Sequence, residues 1–145
     1  MPAGVRIAAL LSSVALLCAA GASLATDTRE ALVLERADGD HLLTGMRGYL
    51  ASVQGIVDGL ARSDMAAVAE SARKSGAAMV GDVRLSAIVG LPPGFVLASL
   101  ATHQKFDELA SAAKAGATRL AVLDSLSALL ASCNACHEAY RVVVR

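Results

Sequence analysis

The sequence predicts an all-α protein, an antiparallel bundle of four helices, and three observations carry that expectation. Ala, Leu, Val, Ser and Gly dominate a chain with no Trp and only two Phe and two Tyr, a composition that favours helix over sheet. Four segments repeat apolar residues at steps of three and four. Short breaks marked by Gly, Pro and Asp separate them, and short connections make neighbouring helices antiparallel. No strand pattern, internal repeat, low-complexity segment or second domain is visible.

The first apolar run is set apart from the rest. Arg6 precedes residues 7–20 (IAALLSSVALLCAA), which are uniformly apolar and too short to span a bilayer comfortably, as in a secretory signal. Small residues at Ala20 and Ala22, or at Ser23 and Ala25, suit cleavage, and cleavage after Ala25 leaves a mature domain over 26–145. An uncleaved membrane anchor is one alternative. A lipoprotein through Cys18 is another, although Leu17 stands where that processing wants a small residue.

In the mature domain, Asp27 and Glu30 suit the capping of a first helical turn. The pattern pauses at Asp38, Gly39 and Asp40, and Asp40 is placed to cap a helix over 41–61. Its apolar face carries Leu42, Leu43, Met46, Leu50, Val53, Ile56, Val57 and Leu60. Gly45, Gly48, Gly55 and Gly59 each weaken this helix by about 1 kcal/mol relative to Ala, so packing must hold it, and they let a flat group approach. Ser63 and Asp64 cap a second helix reaching about residue 80, with Met65, Val68, Ala72, Ala78 and Met79 inward.

Gly90, Pro92, Pro93 and Gly94 mark a loop whose prolines start the third helix. Val96, Leu100, His103, Phe106, Leu109 and Ala113 form its buried stripe, Asp107, Glu108 and Lys114 face water, and Gly116 ends it. The fourth helix opens near Thr118. It aligns Leu120, Leu123, Leu126, Leu129, Leu130, Cys133, His137 and Tyr140, so its apolar seam runs into the most specific motif in the chain.

That motif is CNACH: Cys133, Asn134, Ala135, Cys136, His137. C-x-x-C-H is the signature of covalent attachment of a c-type haem. On a helix the two thiols lie one turn apart on one face, and each can add to one vinyl group of a single porphyrin edge. His137, four residues after Cys133, is on that face too and can take the proximal position on the iron. A bare C-x-x-C also suits a thiol redox pair or half a zinc site. The first wants a βαβ setting and the second wants further ligands. With Cys18 removed in the signal, only Cys133 and Cys136 remain, and export agrees with haem attachment on the far side of the membrane.

Thirteen basic and thirteen acidic residues balance, which argues against a nucleic-acid or membrane-surface partner recognised by bulk charge. No Ser-His-Asp set, paired carboxylates or phosphate-binding glycine loop stands out, so no hydrolytic or transfer chemistry is expected and the leading reading is not an enzyme. His103 reads as a satisfied core histidine and His41 as solvated. Met65 and Met79 read as core. Tyr49 and Tyr140 are placed to pack on a porphyrin or simply in the core.

The ending CNACHEAYR (133–141) resembles that of the class II c-type cytochromes, the cytochrome c′ family. Residues 102–109 (THQKFDEL) resemble the third helix of that family, and 46–68 resemble its first helix and the turn into its second. The resemblance implies one covalent haem c per chain on Cys133 and Cys136, with His137 as proximal iron ligand and Arg141 near the exposed side of that ligand. It implies a periplasmic protein and a homodimer as the frequent assembly; from the signal segment, no stable membrane insertion is expected after cleavage. Within the family, the residue from the first helix decides function. A Met on the iron gives a low-spin electron carrier, and an apolar residue gives an open site that binds nitric oxide or carbon monoxide.

Met46, between Leu43 and Leu50, is the candidate sixth ligand here. Thioether ligation favours reduced iron and suits electron exchange with a redox partner protein. Sliding the family's first helix by one turn puts Leu43 at the distal position instead. Arg47 is placed to pair with a haem propionate or to face water. Three functions follow: a one-electron carrier, a five-coordinate gas binder with its pocket near Leu43, Met46 and Leu50, and a thiol oxidoreductase using Cys133 and Cys136.

Overall fold

The structure is a computed structural model that describes residues 26–81, 83 and 88–145. The expected signal segment, 1–25, with its cleavage sites, lies outside the described residues. The described chain is mostly helical, in the order β1 (Glu30–Leu34), α1 (Arg36–Ala61), α2 (Met65–Arg73), a short 3-10 helix (Ala77–Val80), α3 (Pro93–Lys114), α4 (Arg119–Ala139) and β2 (Tyr140–Val144).

Two short strands are the main departure from expectation. Where Asp27 and Glu30 suit a helical turn, Glu30–Leu34 instead pairs in parallel with Tyr140–Val144, in a register of Glu30 with Tyr140 through Leu34 with Val144. The helical region is the crossover that a parallel pair requires. An isolated two-stranded sheet is marginal in water, and packing holds this one: Leu32 and Leu34 are 2% and 6% exposed. Tyr140, expected on the last helix, is thus the first residue of β2. The strands clasp the two ends of the described chain beneath the C-terminal end of α4.

Because β1 feeds directly into it, α1 begins at Arg36 with Glu35 as N-cap and runs through Gly39 and Asp40. Asp40 is therefore inside the helix, where its carbonyl accepts from the Thr44 hydroxyl. The exit of α1 is a Schellman-type turn: the Asp64 amide donates to the Gly59 carbonyl at 2.8 Å and the Ser63 amide to the Leu60 carbonyl at 3.2 Å. Ser63 takes the left-handed position, φ 58°, so it closes α1 while Asp64 alone caps α2, accepting from the Ala67 amide at 2.9 Å. A Cβ at Gly59 would meet Val68 at 2.7 Å, so what the glycine admits is α2.

The second helix is shorter than expected, ending at Arg73, with Ala77–Val80 continuing as a 3-10 turn. Asp107, expected to face water, holds that turn by accepting from the Ala77 amide at 2.8 Å. Ala78 is exposed rather than inward. Pro93 opens α3. Gly116, φ 83°, closes it with Ala117 donating to Ala112 at 3.0 Å, and Thr118 caps α4 by accepting from the Ala121 amide.

The core runs through Ile56, Val68, Phe106, Leu109, Val122 and Leu129. Helices pack in chain order, α1 on α2, α2 on α3 and α3 on α4, with no comparable contact between α4 and α1. Side-by-side packing of the first and last helices, expected of a closed bundle, is not seen among the described residues. On α4 the buried residues are Val122, Leu126 and Leu129, while Leu120, Leu123 and Leu130 of the expected seam are 69%, 49% and 41% exposed. On α3, Leu100 is likewise 43% exposed.

Candidate haem site

The last turns of α4 carry the motif to the open side of α1. Cys133, Cys136 and His137 line one apolar cavity of about 40 Å³ together with Met46 and Tyr49 of α1 and Phe95, Ser99 and Thr102 of α3. Spacing explains the first three: positions i, i+3 and i+4 share a helical face. A larger cavity, about 260 Å³, adjoins it between the first half of α1, the 3-10 turn and the first half of α3, and shares Met46, Tyr49, Phe95 and Ser99 as wall.

Both thiols are free and half-buried. Burial pushes the Cys133 thiol up, with Cys136 adding to the effect and Lys105 opposing it; burial alone pushes Cys136 up. Lys105 ties α3 to α4 next to Cys133, donating to Ser132 Oγ at 2.5 Å and to the Ala128 carbonyl at 3.3 Å. Below the motif, Arg29 donates to the His137 carbonyl at 3.2 Å, and Tyr140 packs edge-on against Phe95 at 5.4 Å. The clasp thereby touches both α4 and the cavity wall.

Among the expected site residues, Cys133, Cys136, His137 and Met46 come together. Arg47 is exposed and outside both cavity linings. Arg141 sits in β2, 3.9 Å from Asp27; its Nε is buried with no hydrogen-bond partner among the described residues. Leu43 and Leu50 line neither cavity, whereas Leu42 and the exposed His41 both line the larger one.

A polar chain crosses the wall between the cavities. His103, 3% exposed, bonds through Nδ1 to the Ser75 carbonyl at 2.8 Å and through Nε2 to the Tyr49 hydroxyl at 2.6 Å. It is a core histidine with both ring nitrogens satisfied, as read from the sequence. Tyr49 stacks on Phe106 at 5.5 Å. Burial pushes its phenol up to about 12, against a hydrogen bond from Ser99. The pairing of Tyr49 with His103 was not legible in the sequence; polar residues on two apolar helix faces were its only signal.

These residues suit a covalently held haem. Two thiols and an imidazole open onto one apolar cleft. A porphyrin needs the two cavities joined across Met46, Tyr49, Phe95 and Ser99, the residues that wall both. Among the described residues, no three or more His, Cys, Asp or Glu side chains cluster to hold a bare metal ion. The chain matches no protein-family model, no curated protein and no solved structure.

Proposed function

We propose that the chain is an exported c-type cytochrome of the cytochrome c′ kind, an antiparallel four-helix bundle with one haem on Cys133 and Cys136, acting as a one-electron carrier. The observation that carries this reading is the shared cavity: the C-x-x-C-H residues and Met46 face it from two different helices. When bound, haem iron supplies the ferric–ferrous couple that stores one electron. The chain's part is to hold the group through two thioethers, to offer His137 and Met46 as ligands, and to keep water away with an apolar wall.

Met46 is favoured over a slid register because Met46 lines both cavities and Leu43 neither. The gas-binding reading keeps the same cavity and differs only in leaving the distal position open. The thiol oxidoreductase reading is disfavoured, because reactive thiols have lowered pKa values and both of these are raised. No catalysed reaction is assigned; a redox partner protein, a periplasmic location and pairing into a homodimer complete the reading.

The test is the optical spectrum of the exported protein, oxidised and reduced, before and after carbon monoxide. A low-spin spectrum with a sulfur-to-iron charge-transfer band, insensitive to the gas and lost in Met46→Ala, supports the carrier. A high-spin spectrum that shifts with the gas assigns the gas binder instead. Absence of haem bands from a host able to attach haem refutes both.

A further inference from the structure

The chain Tyr49–His103–Ser75 has a fixed polarity. A carbonyl oxygen only accepts, so the Ser75 carbonyl, 2.8 Å from His103 Nδ1, requires the ring hydrogen on that nitrogen. With one ring hydrogen, placed there, Nε2 is the acceptor, and the Tyr49 hydroxyl, 2.6 Å away, donates to it. Tyr49 Oη then has only lone pairs for other neighbours. Every hydrogen in the chain is directed toward Ser75. The far end is closed: Ser75 is 1% exposed and its hydroxyl is paired with Ser52 at 2.8 Å. Tyr49 and Ser99 both line the cavity shared by Met46, Cys133, Cys136 and His137.

Resting on the haem reading above, we infer that Tyr49, oriented by His103, is a positioning residue that turns oxygen lone pairs toward the haem cavity and so favours the ferric state. The chemistry is that of an oriented dipole in a medium of low dielectric: negative ends near the iron stabilise the higher charge, and linked hydrogen bonds reinforce one another. Hydrogen bonding around the group is one of the protein's levers on its potential. The same polarity leaves this wall without a hydrogen to donate to an iron-bound ligand. Stacking on Phe106 keeps the ring from turning.

Tyr49→Phe keeps the stacked ring and removes the oxygen. It is expected to shift the ferric–ferrous equilibrium toward the ferrous state by roughly tenfold, a rise of about 59 mV for a one-electron couple. His103→Leu removes the acceptor, so the Tyr49 hydrogen turns to the cavity side and the rise is larger. Tyr49→Phe carries the test by itself where His103→Leu does not fold. Redox titration of the purified haem protein reads both variants, and ¹⁵N shifts of the His103 ring read the hydrogen on Nδ1 with or without haem. An unchanged or lowered potential in Tyr49→Phe with normal haem bands, or a hydrogen on Nε2, overturns the inference alone. Absence of haem in the wild type overturns the function it rests on.

Discussion

Replacing Leu129 and Leu123 separately by Ala tests which face α4 buries. Leu129 is fully buried and Leu123 is 49% exposed, although both belong to the one seam expected from the sequence. Leu→Ala removes three carbons, at about 0.8 kcal/mol each when fully buried, giving about 2.4 kcal/mol. The void left at Leu129 raises this toward about 3–5 kcal/mol. At Leu123 about half the burial is lost and no closed void forms, so the expected cost is about 1 kcal/mol. Urea unfolding followed by circular dichroism separates the two at matched haem content. With a slope of about 1–3 kcal/mol per molar urea, Leu129→Ala lowers the midpoint by at least about 1 M, and Leu123→Ala lowers it by about a third to a fifth as much as Leu129→Ala at the same slope. Equal costs at the two positions would refute the assignment and return α4 to the seam that includes Leu120, Leu123 and Leu130.

Ser63 occupies the left-handed position that ends α1; Ser63→Gly is expected to stabilise by about 0.5–1 kcal/mol in the same urea assay, net of its exposed bond from Arg119. The hydrogen bond from Arg29 holds the Asp27 carboxyl at about 2. A depressed value means the contact is fully present above the ordinary carboxylate range and is lost as pH falls through about 2. A carboxyl ¹³C titration should therefore show the Asp27 transition well below those of ordinary exposed carboxylates, and a normal midpoint would count against the Asp27–Arg29 contact. In protein made without haem, Cys133 and Cys136 should alkylate slowly until the pH passes the ordinary thiol value of 9.0, because burial raises both. Fast labelling at neutral pH would revive the dithiol reading.

The sequence by itself determined what depends on neighbours within a turn or two. Pro93 starts α3 and Gly116 ends it, Asp64 and Thr118 cap their helices, and the three motif side chains share a face because their spacing matches the helical period. What joins distant segments was decided by tertiary structure. The clasp pairs Glu30–Leu34 with Tyr140–Val144; its local traces were only the spacing by two of Leu32 and Leu34 and the β-branched run Val142, Val143 and Val144. On α4 two apolar stripes lie about 100° apart around the helix, and periodicity cannot choose between them. Packing on α3 chose Val122, Leu126 and Leu129. The Tyr49–His103 bond joins two helices whose sequences carry no record of each other, because hydrogen-bond partners are fixed by distance in space. The motif told which residues belong together, and the packing of α1, α3 and α4 decided what they face.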